Sequence, residues 1–248
     1  MPGIGKKYLI ENLLVINPHS LSTLNILYED NHLIILNKNC GEIVQSDASG
    51  DMSLEQTVKE YLKHKYNKPG EAFLGVVHRL DRPVSGVMIF ARTTKALTRM
   101  NEMFQEKEIR KTYWAVVRDL PPNEKGTLIH YIIRNTKTNR SYAYPQERSG
   151  SKKAVLHYRH IASSERYHLL EIDLETGRHH QIRCQLAAIG CPVRGDLKYG
   201  YPRSNPNGGI SLHARQIRFR HPVKDEEINL IAPLPDEPFW NIFTHANE

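Results

Sequence analysis

The sequence predicts an α+β fold built on one mixed, largely antiparallel sheet. Three observations lead there. Stretches of strand length, rich in β-branched and aromatic residues, recur from Ile26 to Ala232. Helical spacing of apolar residues shows in only a few places. Those places are scattered, whereas a parallel α/β architecture would alternate them with the strands.

In chain order, residues 1–24 carry one apolar cluster at 13–16 and read as an N-terminal arm, with a single domain over 25–248. Residues 26–28 and 33–36 form a hairpin around Glu29-Asp30-Asn31. Ser53 caps a helix running to about Tyr66, with Leu54, Val58, Tyr61 and Leu62 on one stripe, and Pro69-Gly70 ends it. Val76-Val77 and 87–90 are apolar strands. Thr93 or Thr94 caps a second helix to about Lys107, with Leu97, Met100 and Phe104 as its stripe. Strands follow over 110–117, 127–134, 141–144, 154–161 and 167–174, separated by polar turns. A third helix opens after Gly177, with Ile182, Leu186 and Ile189 in register and Gly190 as its stop. Strands over 210–219 and 228–232 and a short helix over 236–243 complete the chain.

Composition narrows the function. At 248 residues, 40% hydrophobic and 25% charged, the chain is ordinary globular protein. No apolar run approaches the roughly 20 residues of a membrane span, and the first residues lack the apolar core of a signal peptide. Cys40, Cys184 and Cys191 are an odd count without CxxC spacing, which argues against a disulfide framework or zinc site and for reduced thiols in the cytoplasm. The net charge of +7 and pI near 9.2 suit a polyanionic partner.

Two stretches carry the chemistry. In the first, His78-Arg79-Leu80-Asp81-Arg82-Pro83 lies between apolar strands, and Gly86 releases the chain into the second of them. Pro83 disfavours helix at Arg82. In an extended segment Arg79, Asp81 and Pro83 face one way and Leu80 and Arg82 the other. Asp81 thus stands between two arginines, as a carboxylate positioned to act while charged. A solvated surface loop is the plainer alternative, but loops fixed by a rigid scaffold are where chemistry concentrates.

The second stretch is Thr176-Gly177-Arg178-His179-His180-Gln181-Ile182-Arg183. Gly177 permits an unusual turn, and Arg178 and the amides after it sit near a helix N-terminus, where anions bind readily. Arg183 neighbours the apolar stripe and so needs to snorkel or to find an anionic partner, for which Asp81 is the candidate. Adjacent histidines do not share a helix face, so His179 and His180 make a poor metal site. Lys111 and Tyr113 share one face of their strand, where a tyrosine offers a stacking surface and a hydroxyl; Trp114 faces the packing side. Ser85 raises a hydrolase reading, but its Val84-Ser85-Gly86 setting lacks the G-x-S-x-G elbow.

The order of these pieces resembles the RluA-type pseudouridine synthases. The matching segments are L-Y-E-D-N-H-L-I-I-L-N-K (27–38), H-R-L-D-R-P-V-S-G (78–86), R-K-T-Y-W-A-V-V (110–117), E-T-G-R-H-H-Q-I-R (175–183), G-D-L-K-Y-G (195–200) and L-H-A-R-Q-I-R-F-R-H-P (212–222), so the likeness spans nearly the whole chain. It implies the pseudouridine synthase fold, a mixed sheet with flanking helices and a catalytic cleft across its middle, with no metal and no cofactor. By motif match Asp81 is the catalytic aspartate, Tyr113 packs against the target base, Arg183 pairs with the aspartate, and Arg79 fills the space of a flipped base. RNA contacts are expected from Arg79, Arg82, Lys111, Arg178, His180, Lys137 and Arg140, with Lys152 adding to the basic surface. Val84 stands where the family has Thr, and His179 and Gln185 stand where it has Thr and His; these departures bear on substrate detail. Many relatives carry a small N-terminal RNA-binding domain, which residues 1–24 are too short to supply. The implied activity is isomerisation of uridine to pseudouridine at specific positions in ribosomal or transfer RNA stem-loops by a cytoplasmic monomer. The alternative is an RNA-binding module without catalysis, which basicity alone equally allows.

Overall fold

The computed structural model describes residues 11–14 and 23–243. Its elements are strands β1 (Glu11–Leu14), β2 (Thr23–Glu29) and β3 (Leu33–Lys38), helix α1 (Leu54–Lys65), β4 (Gly75–Val76), β5 (Ser85–Ala91), α2 (Thr94–Gln105), β6 (Arg110–Val117), β7 (Lys125–Asn135), β8 (Arg140–Tyr144), β9 (Lys152–Ser163), β10 (His168–Leu174), α3 (Gln181–Ala188), a 3-10 turn (Leu197–Tyr199), β11 (Leu212–Arg220), β12 (Glu227–Ile231) and α4 (Pro238–Asn241). The strands of the described residues form one sheet in the order β1-β2-β3-β5-β11-β6-β10-β9-β7-β8, with β12 on β11 and β4 on β5. Every pairing among them is antiparallel except β5 with β11. This is the mixed, largely antiparallel sheet that the sequence predicts.

The central strands are buried on both faces, which is why their sequences read as continuous apolar runs. Period-2 alternation divides them. Ile34, Leu36, Met88, Phe90, Ala115 and Val117 point to the face covered by α1 and α3, through Val58, Tyr61, Leu62, Ile182 and Leu186. Leu33, Ile35, Val87, Ile89 and Ala91 point to the other face, under Ala96, Met100 and Met103 of α2. Trp114 and Val116 pack with Trp240 and Phe243 at the C-terminal end, so Trp114 takes the packing role read from its position.

The helix starts follow their caps. Ser53 forms a capping box with Gln56, and Thr93 accepts the amide of Ala96. Two differences from the sequence reading matter for the site. Helix α3 begins at Gln181 instead of just after Gly177, and the residue in left-handed conformation is His180, at φ 52°. A 3-10 turn at Leu197–Tyr199 was not anticipated. Of the arm expected over 1–24, residues 1–10 and 15–22 lie outside the described residues; Glu11–Leu14 pairs with β2, which itself begins at Thr23. No helix among the described residues is long and apolar enough to cross a membrane.

Gly86 is where sheet and site meet. It has φ 113°, and a Cβ there would collide with the backbone of Ala214 on β11. Only glycine lets β5 and β11 approach as parallel neighbours immediately after the charged loop. That contact brings the 77–84 loop to the middle of the sheet.

Candidate active site

The 77–84 loop is pinned from several directions. Leu80 and Val84 are buried in the core. The Val84 amide donates to the Asp81 carbonyl (3.0 Å), Gly41 donates to the Arg82 carbonyl (2.8 Å) and Ile210 to that of Pro83 (3.0 Å). Lys38, 1% exposed, donates its ammonium to the carbonyls of Asn39 (2.8 Å), Arg82 (3.2 Å) and Val84 (2.7 Å). Burial pulls its pKa down to about 8. Backbone carbonyls thus receive a buried cation, and the Asp81 backbone is fixed without using its carboxylate.

That carboxylate meets α3. Arg183 Nη1 donates to Asp81 Oδ2 at 2.9 Å, which is the partnership expected from the sequence. The same guanidinium forms a two-pronged pair with Asp196, Nε to Oδ2 at 2.7 Å and Nη2 to Oδ1 at 2.9 Å. Arg183 and Asp196 are 5% and 1% exposed. Burial opposes the guanidinium charge, but the bonds to Asp196 and then the Asp81 charge outweigh it and raise its pKa. The reading of Asp81 as held between Arg79 and Arg82 is corrected here. Arg82 turns outward to an exposed pair with Asp51 at 2.7 Å, and among the described residues neither Arg79 nor Arg82 forms an ion pair with Asp81. Arg82 and Pro83 form a turn closed by the Val84 amide on the Asp81 carbonyl, and Asp81 and Arg82 take different partners.

Asp81 faces a cleft of about 1220 Å³. Arg79, Lys111, Tyr113, Arg178 and His180 line it as well. Lys111 and Tyr113 share its wall, as their spacing predicts. Burial, then the nearby Asp81 charge, raises the pKa of the Tyr113 hydroxyl and keeps it protonated at neutral pH. Burial lowers that of Lys111, whose ammonium lies 5.4 Å from the centre of the Phe104 ring. His78 packs on Phe104 and accepts the Ile89 amide at Nε2 (3.0 Å); burial and then Lys111 push its pKa down to about 3.

Not every expected contact comes to this cleft. Arg82, Lys137 and Arg140 are absent from its lining. Lys137 is exposed on the turn between β7 and β8. Arg140 stacks on the rings of Tyr142 and Tyr199, 5.4 and 5.2 Å from their centres, and so backs the site from behind. Lys152 is exposed at the start of β9. In their place the walls carry Lys107, Arg110, Arg134 and Arg218, which the sequence reading did not single out. His179 bonds Ser141 Oγ (2.8 Å) and stacks on His180. Gln185 is buried, with its amide on the Leu128 carbonyl (3.1 Å) and His130 Nδ1 (3.1 Å). Among the described residues no three His, Cys, Asp or Glu side chains are grouped to hold a metal ion. Ser85 pairs with His213 at 2.9 Å, but both are buried and the imidazole's other nitrogen faces the Ala232 carbonyl (3.4 Å), so no carboxylate completes a triad.

Residues 32–188 match the RNA pseudouridylate synthase family. The chain belongs to that family. An uncharacterized RNA pseudouridine synthase of Bacillus subtilis, YhcT, is 35% identical to this synthase over 86% of the chain and 69% of its own length. The ribosomal large subunit pseudouridine synthase D of Vibrio cholerae is 34% identical, over 86% and 68%. Among solved structures, human RNA pseudouridylate synthase domain containing 4 superposes with a TM-score of 0.71 at 26% identity, covering 89% of this chain and 90% of that one.

Besides those wall cations, the sequence reading does not single out Asp196, Tyr199 and Lys38, which support the site from behind. Asp196 and Tyr199 belong to the segment Gly195–Gly200, a motif whose resemblance was noted without any tie to Arg183. Lys38 is a lone cation closing the apolar strand β3, which was itself a signal that it needs buried acceptors.

Proposed function

We propose that this pseudouridine synthase isomerises specific uridines in stem-loops of ribosomal or transfer RNA, with Asp81 as the acting carboxylate, Arg183 as its partner and Tyr113 against the target base. The observation that carries this is the Asp81–Arg183 pair at 2.9 Å on a cleft whose wall includes Tyr113. The reaction breaks the bond between uracil and ribose, turns the base and rejoins carbon 5 to the anomeric carbon. A carboxylate serves it either by attacking the sugar or by taking a proton from it, and Asp81 on the wall of the cleft suits both.

A paired uridine must leave the stack to reach Asp81, at a cost of a few kcal/mol. Arg79, exposed at the cleft, occupies the space the base vacates, and Tyr113 stacks on the base received. The basic wall of Lys107, Arg110, Lys111, Arg134 and Arg178 meets phosphates, so affinity falls as salt rises while base identity is read little. Specificity then comes mainly from the shape of loops whose bases can splay out.

Mapping pseudouridines in total RNA of cells lacking the protein, alongside purified protein on unmodified transcripts, tests the reading. Loss of one or a few stem-loop sites is expected. No lost site in any stable RNA, together with an inactive purified protein, would leave a non-catalytic RNA-binding module as the better account.

A further inference from the structure

Every polar contact of the Asp81 carboxylate among the described residues falls on one of its oxygens. Arg183 Nη1 stands 2.9 Å from Oδ2 and His180 Nε2 stands 3.4 Å from the same atom. Oδ1 has no hydrogen bond or ion pair from any described residue, and the side chain, 28% exposed, lies on the cleft.

The two groups on Oδ2 are themselves held from behind by one short turn. Asp196 opens it and Tyr199 ends it. Asp196 occupies Nε and Nη2 of Arg183, so Nη1 is what remains for Asp81. The Tyr199 oxygen accepts the Ser141 amide at 2.8 Å and lies 2.8 Å from His180 Nδ1. A phenol that already accepts this amide satisfies both groups when it gives its own proton onward to Nδ1. A neutral imidazole that accepts at Nδ1 carries its hydrogen on Nε2, the nitrogen facing Asp81. His180 is neutral: burial, then the Arg183 charge, pushes its pKa down to about 2. The group 3.4 Å from Oδ2 is then an N–H of a neutral ring rather than a charge. His180 holds this place through its left-handed backbone, which a non-glycine residue adopts at a cost and which gathers at functional sites. Gly195, at φ 86°, sets the turn; a Cβ there would stand 2.6 Å from the Asn205 side chain.

We infer that the turn from Asp196 to Tyr199 is the positioning element of this site: it fixes the Arg183 donor on Oδ2 of Asp81, aims the His180 N–H at the same oxygen, and leaves Oδ1 as the oxygen that acts on the ribose of the target uridine. The inference rests on Asp81 being the acting carboxylate. It makes Asp196, Tyr199 and His180 positioning residues, and moves His180 from the RNA contacts to the support of Asp81. At 3.4 Å the His180 contact is longer than a formed hydrogen bond, and its closing on a filled cleft is part of the inference.

His180→Asn and His180→Gln separate this from a merely structural role, because the two readings rank them oppositely. Asparagine tolerates positive φ and its amide reaches the Nδ1 position to meet Tyr199, but it falls short of Asp81. Glutamine suits that backbone poorly, yet its amide reaches the Nε2 position. With wild type and Asp81→Asn as controls on one unmodified RNA, we expect single-turnover rates roughly 10- to 100-fold below wild type for His180→Asn, with His180→Gln clearly faster and RNA affinity within about twofold in both. Tyr199→Phe, which keeps the ring beside Arg183 and frees the imidazole tautomer, is expected to be slowed about tenfold at unchanged affinity. His180→Asn equal to or faster than His180→Gln, or Tyr199→Phe at the wild-type rate, would overturn the inference while leaving Asp81 in place. An active Asp81→Asn, or an inactive wild type, would remove the reading of Asp81 and this inference together.

Discussion

Asp81 and Arg82 are neighbours in sequence, and each forms an ion pair of ordinary length. Asp81 meets Arg183 at 2.9 Å and Arg82 meets Asp51 at 2.7 Å. The side chains of the first pair are 28% and 5% exposed, those of the second 51% and 51%. Distance does not separate them; surroundings do. Exposed pairs gain little because water screens them and both side chains lose freedom. A buried pair is costly to assemble and more costly to break, since either partner alone is a charge without water. One peptide bond therefore divides a residue fitted for chemistry from one fitted for solubility. The pins on the carbonyls of Arg82, Pro83 and Val84 set which side chain turns inward.

The largest difference should appear in activity. Asp81→Asn keeps the shape and removes the charge. Pseudouridine formation is expected to vanish, with RNA affinity within a few-fold of wild type in filter binding. Wild-type turnover from this variant would break the comparison at its base. Arg183→Met tests the other partner and should cost stability as well. It strands Asp196 without a cation at 1% exposure and removes the cation from Asp81. A loss of about 3–5 kcal/mol in urea unfolding is expected, as for other buried pairs cut on one side, along with most of the activity. A variant as stable as wild type would mean that Asp196 is held by its surroundings rather than by Arg183.

The fold was legible because central strands buried on both faces leave continuous apolar runs, and because Ser53 and Thr93 cap their helices by local hydrogen bonds. Asp81, Arg183, Lys111 and Tyr113 were legible because their settings were unusual: a carboxylate in a turn between apolar strands, an arginine on an apolar stripe, two polar residues two apart on a strand. Adjacency suggests pairing for Arg82, whereas the loop pins decide direction and are made by residues up to 127 positions away, such as Ile210 with Pro83. Gly177 marks the unusual turn in sequence because glycine permits it, while the left-handed residue is His180, a non-glycine that the local sequence does not single out. Asp196 goes unread for the same reason as the direction of Arg82: nothing local ties it to Arg183.

Tyr113→Phe sharpens the inner side of the comparison. The hydroxyl is kept protonated by burial and by Asp81, so its loss should spare stacking. Turnover is expected to fall by tenfold or more with RNA affinity little changed, and Tyr113→Ala should lose both. Near-normal turnover of Tyr113→Ala would take this residue out of the site.

Burial also governs groups that carry no charge at all. His213 is 0% exposed, and burial, its first cause, pushes its pKa down to about 3. In the unfolded chain a histidine titrates near 6.5. Between these values the unfolded state binds the proton and the folded state does not, so stability drops as pH falls from 6.5 toward 3. The expected slope is about 1.4 kcal/mol per pH unit in that window for this residue. Urea unfolding at pH 7.5 and 5.5, in wild type and in His213→Asn, should show a steeper loss in wild type. Equal slopes would mean that His213 protonates in the folded protein.

The smallest effect belongs to Arg82, and its smallness is the content of the prediction. If burial rather than adjacency sets the worth of an ion pair, Arg82→Ala should change unfolding free energy by no more than about 0.5 kcal/mol. Whatever change it makes should shrink as salt rises from low to physiological, because the pair with Asp51 is open to counter-ions. Lys38 still holds the Arg82 carbonyl, and that bond uses backbone the substitution leaves in place. Uridine turnover at saturating RNA should therefore remain near wild type, and any loss should appear in salt-sensitive RNA affinity, where Arg82 adds to the positive surface. A large, salt-independent loss of stability or of turnover at saturating RNA would show that Arg82 supports Asp81 directly, and that nearness in sequence outweighs the difference in burial.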